Sequence, residues 1–64
     1  MKPSSEHELE IARLVDQRAI EHKLPSSAIA EIAATIPFPL SKPETRFLIH
    51  YIAWRRDHPI NQED

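Results

Sequence analysis

The side chains best suited to chemistry or recognition sit close together near the C-terminal end: Tyr51, Trp54, Arg55 and Arg56. Tryptophan, tyrosine and arginine are enriched at binding hot spots because each joins a large contact area to a polar tip. The same residues have a plainer use. Tyr51 and Trp54 can serve a core, and two arginines in a last helical turn complement the helix dipole. Four histidines, His7, His22, His50 and His58, raise the question of a metal site. No two of them stand three or four positions apart, the spacing that puts two ligands on one helix face. There is no cysteine, which removes both thiolate zinc sites and disulfides. Ser4, Ser5, Ser26, Ser27 and Ser41 all fall where helix caps belong, so capping accounts for them without a nucleophilic role. A chain with no glycine has no phosphate-cradling loop. We therefore expect no catalytic, cofactor or metal site, and a protein that is not an enzyme.

Six prolines punctuate the chain and divide it into three segments, each of which reads as a helix. The first, over about 5–22, opens on the capping box Ser5-Glu6-His7-Glu8, with Glu6, Glu8 and Glu10 near the positive end of the dipole. Its apolar stripe is Ile11, Ala12, Val15, Ala19 and Ile20. Leu9 lies at the edge of that stripe, and Leu14 falls on the other side among charged residues. His22 and Lys23 place positive charge at its end, ahead of Pro25. The second helix, over about 26–36, is entered through Ser26 or Ser27 as cap. It is apolar nearly all round, from Ala28 to Ile36, and is stopped by Pro37. Pro37-Phe38-Pro39-Leu40 is an extended connector whose Phe38 and Leu40 fold back onto the core. A second capping box, Ser41-Lys42-Pro43-Glu44, starts a third helix over about 42–57, with proline tolerated in its first turn. Pro59 ends it, and an acidic tail follows. The expected fold is one all-α domain, a three-helix bundle.

The third helix is more apolar than its place in such a bundle requires. Phe47, Leu48, Tyr51 and Trp54 make one face, and Ile49, Ile52 and Ala53 extend it round the cylinder. A helix in a small bundle buries roughly a third to a half of its circumference. The surplus has the character of an interaction surface. Phe38, Leu48, Tyr51, Ile52, Trp54, Arg55 and Arg56 are the expected partner-binding residues. The expected partner is a larger protein, with a homodimer as the variant that satisfies the same surplus.

Composition agrees with a soluble globular domain, with 41% hydrophobic and 28% charged residues. No apolar run reaches the roughly 18 to 20 residues of a membrane span, and MKPSSEHELE lacks the apolar segment of a signal peptide. Action in the cytoplasm is expected, without membrane contact. A net charge of −2 argues against a protein whose main task is gripping nucleic acid. Helices two and three also match a helix-turn-helix with Lys42, Arg46, Arg55 and Arg56 toward DNA, which makes DNA binding the alternative function. Against it stand the proline-rich connector, longer than the usual 3–4-residue turn, and the apolar Phe47 and Leu48 where base-reading donors belong.

The layout resembles the theta subunit of bacterial DNA polymerase III and its phage-borne relatives. The matching stretches are Leu24-Pro25 with Ile29-Ala30-Glu31, then Pro43-Glu44 opening a helix that ends in Trp54-Arg55-Arg56. Residues 8 to 57 are covered. The chain departs from that family in its Pro37-to-Leu40 connector and its acidic balance. The resemblance implies a non-catalytic accessory that binds and stabilises a proofreading exonuclease subunit.

Overall fold

The computed structural model describes residues 3, 5–21 and 24–60. Among the described residues three helices make an all-α bundle: α1 (Glu6–Glu21), α2 (Ala28–Thr35) and α3 (Lys42–Asp57). His22 and Lys23, the expected end of the first helix, lie outside the described residues, as does the tail from Asn61.

Contacts across the bundle set the helix directions. His7 of α1 meets Glu44 of α3 at one end, and Asp16 meets Arg55 toward the other. α1 and α3 therefore run parallel. α2 returns between them, tied to α1 by the Arg18–Glu31 ion pair. The connector 36–41 then brings the chain back beside the start of α1, where the rings of Phe38 and His7 stack at 3.9 Å.

Local signals act at each boundary. Ser5 accepts from the Glu8 amide at 3.2 Å. At α3 the capping box is complete: Ser41 Oγ accepts from the Glu44 amide, and Glu44 Oε1 accepts from the Ser41 amide at 2.9 Å. α2 starts differently from expectation. Ser27 has helical backbone angles and makes no side-chain cap. A helical φ/ψ pair carries the hydroxyl away from the next free amides, and Ser27 donates to Glu31 instead. The Pro25 carbonyl accepts from the Ala28 amide at 2.9 Å in its place. Ile36 is extended ahead of Pro37, which stops α2 as expected.

The core consists of Ile11, Ala12 and Val15 from α1, Ala28, Ile32 and Ile36 from α2 and its end, and Leu48, Tyr51 and Ile52 from α3. Phe38 and Leu40 pack against it, as expected of the connector. Two expectations change. Leu14, placed on the polar side, packs against the core because α2 covers that side of α1. Ile20, placed in the core stripe, is 57% exposed. α2 presents only the small side chains Ala30 and Ala34 to solvent between Glu31 and Thr35, so its outer face is less apolar than its composition suggests.

Candidate partner-binding surface

The seven expected partner-binding residues do not form one surface. Leu48, Tyr51 and Ile52 are core residues with 1%, 4% and 0% exposure, which corrects their assignment to an interface. The physical reason is the position of α3, which packs against both other helices and so buries a wider arc than one neighbour would demand. Phe38 is half-buried at the N-terminal end of α1, stacked on His7. Arg56 turns to the other flank, where Nε and an NH2 group donate to the carbonyls of Leu24 and Pro25 at 2.8 and 2.7 Å. Only Tyr51, Trp54 and Arg55 come together.

They do so around a residue that sequence reasoning did not single out. Asp16 of α1 accepts from the Tyr51 hydroxyl at 2.9 Å and from Arg55 Nε at 3.0 Å. A second Arg55 nitrogen donates to the Tyr51 oxygen at 3.0 Å, and a third donates to the carbonyl of His58 at 2.9 Å. The guanidinium carbon lies 4.5 Å from the Trp54 ring centroid, within cation–π range. Each of the three Arg55 guanidinium nitrogens and the Tyr51 hydroxyl has a defined partner, and bonds to ionised groups are the stronger kind. Burial pushes the Tyr51 phenol up, and the adjacent carboxylate adds to the effect. For Arg55, burial acts downward, but the bonds to Tyr51 and Asp16 prevail and raise it, so it stays charged.

Along α3, Phe47, Tyr51, Trp54 and His58 follow at helical spacing and contact one another in order, with centroids 5.5, 5.6 and 4.7 Å apart. Along α1, Leu9, Asp16 and Ile20 share a second stripe, since seven and eleven positions bring a helix back to almost the same direction. Asp16 touches Tyr51, so the two stripes lie side by side along the seam between the parallel helices. Leu9 is 60% exposed and Ile20 57%. Phe47 and Trp54 are half-buried on the α3 stripe. The seam is thus a strip with Leu9 and Ile20 on one rail and Phe47, Trp54 and His58 on the other. Its centre is held by the Asp16–Tyr51–Arg55 network. The sequence places Ile20 in the core stripe and Leu9 at its edge because each borders that stripe by only part of a turn.

Among the described residues no group of three His, Cys, Asp or Glu side chains is placed to hold a metal ion, and no helix is long and apolar enough to cross a membrane. His58 Nδ1 lies 2.9 Å from the Trp54 carbonyl and His7 Nδ1 2.7 Å from Glu44 Oε2, so each of those nitrogens acts as a hydrogen-bond donor. No protein-family model, curated protein or solved structure matches the chain.

Proposed function

We propose that this is a non-enzymatic helical protein that binds a larger protein in the cytoplasm through the α1–α3 seam, as an accessory subunit, inhibitor or regulator. The observation that carries the proposal is that Leu9 and Ile20, the most exposed large hydrophobic residues among those described, share one stripe of α1, which the Asp16–Tyr51 contact joins to the α3 stripe of Phe47 and Trp54. Large apolar side chains grouped on a monomer surface are characteristic of protein interfaces, whereas scattered ones need no explanation. A rigid aromatic edge backed by a satisfied polar network loses little side-chain entropy on docking. The theta-like layout suggests a partner class, a proofreading exonuclease subunit that the small chain would stabilise.

Binding to DNA is less well supported. Arg55 and Arg56, two of the four cations assigned to phosphate contacts, are engaged inside the molecule with Asp16 and with the Leu24 and Pro25 carbonyls. Light scattering tests self-association, and comparison of wild type with a Leu9→Asp, Ile20→Asp variant tests the seam. A partner or second copy held by wild type and released by the variant agrees with the proposal. An assembly indifferent to both substitutions contradicts it.

A further inference from the structure

A second surface lies on the opposite flank of α3. Lys42, Thr45, Arg46 and Ile49 recur at the spacing of one helix face, and Leu40 of the connector closes the end of the stripe. Together they line an open cleft of about 350 Å³. Ile49 is 41% exposed and Leu40 half-buried, so the floor is apolar and reachable. The volume is at the lower end of the range for ligand clefts and suits one or two side chains.

The charges at this mouth differ from those elsewhere. Arg13 pairs with Glu10, Arg18 with Glu31, Arg55 with Asp16, and Arg56 binds two carbonyls. Among the described residues, Lys42 and Arg46 are the only lysine or arginine side chains without such a partner. They flank an apolar floor in a chain whose net charge is −2. An acidic ligand gains nothing from the molecule as a whole, and its attraction is local to this rim.

We infer that the cleft binds an acidic peptide segment of a partner protein, its apolar side chain seated on Leu40 and Ile49 and its flanking carboxylates on Lys42 and Arg46. Thr45 supplies a hydroxyl at the same mouth. Two cations around an apolar floor suit a short acidic-apolar motif better than a nucleic-acid backbone, which rewards many cations and no apolar floor. The site is separate from the α1–α3 seam, and the inference stands whether or not the seam binds a partner.

The test uses the isotope-labelled full chain and an end-blocked peptide with two leucines between pairs of glutamates. At low salt, saturating amide shifts are expected at Leu40, Thr45, Arg46 and Ile49. A Lys42→Glu, Arg46→Glu variant should weaken binding about tenfold or more, as should a peptide with serine in place of leucine. Circular dichroism checks the fold, and the milder Lys42→Gln, Arg46→Gln variant should show an intermediate loss. Any of four results would overturn the inference: no saturating shift at millimolar peptide, shifts on the seam instead, equal binding of a lysine-flanked peptide, or tighter binding of decanoate or a single-stranded oligonucleotide.

Discussion

The hydroxyl of Tyr51 lies 2.9 and 3.1 Å from the two carboxylate oxygens of Asp16, a residue 35 positions earlier in the chain. With Arg55 on the same carboxylate, this contact joins α1 to α3 at the middle of the proposed binding seam. Removing the acceptor leaves a mostly buried guanidinium without its counter-charge. Asp16→Ala should therefore cost about 2 kcal/mol, and Tyr51→Phe about 1 kcal/mol. The double variant should fall short of their sum, because the residues act as a unit. Urea unfolding followed by the fluorescence of the single tryptophan measures all three.

Tyr51 is the only tyrosine, so phenolate absorbance reports on it alone. Its folded-state value lies above the ordinary 10.0, chiefly through burial. The stability from its neutral phenol is fully present below the unfolded value and is lost as pH rises through the folded one. Alkaline titration should show a midpoint above 10 that coincides with loss of helix. Tyr51→Phe should abolish the absorbance change and soften the alkaline loss.

At the other end of the bundle the sign is reversed. The Ser41 amide, followed by His7, holds the Glu44 carboxyl below its ordinary value of 4.5. That contribution is present above the unfolded value and disappears as pH falls through the folded one. Glu44→Gln keeps a side-chain acceptor for the Ser41 amide but not the charge, so its stability should change less between pH 6 and pH 3 than that of wild type. Ser41→Ala should cost about 1 kcal/mol at neutral pH, read as a fall of roughly 4–8 °C in Tm.

Arg56 fastens the end of α3 to the carbonyls of Leu24 and Pro25. Arg56→Ala should lower stability by about 1 kcal/mol. Arg56→Lys should recover only part of that, since one ammonium cannot reproduce the two-pronged guanidinium contact. Thermal denaturation distinguishes this structural role from one in phosphate binding, where stability would not change.

Most of the fold was legible because its boundaries are marked by chemistry as well as hydrophobicity. Ser41 and Glu44 announce the capping box by spacing alone, and Pro37 stops α2 where a proline must. The candidate site was less legible. Leu48 and Ile52 looked surplus because the buried arc of α3 depends on how many helices surround it, and sequence does not state that number. Asp16 carries little local signal, since its partners lie 35 and 39 positions away. The clue was weak: an acidic residue directly after Val15, at the margin of the core stripe. Leu9 and Ile20 have the residue type of core positions, and only the packing of α1 on α3 shows that they face outward.

Photocrosslinking in the native host tests the central claim, docking through the α1–α3 seam, most directly. A photoreactive residue would be placed in turn at Leu9, Ile20 and Gln17, the last an exposed position outside the Leu9–Ile20 stripe. A single adduct of defined mass from positions 9 and 20, absent from 17, is the predicted result. Adducts of equal yield from all three positions, or none from 9 and 20, would contradict it.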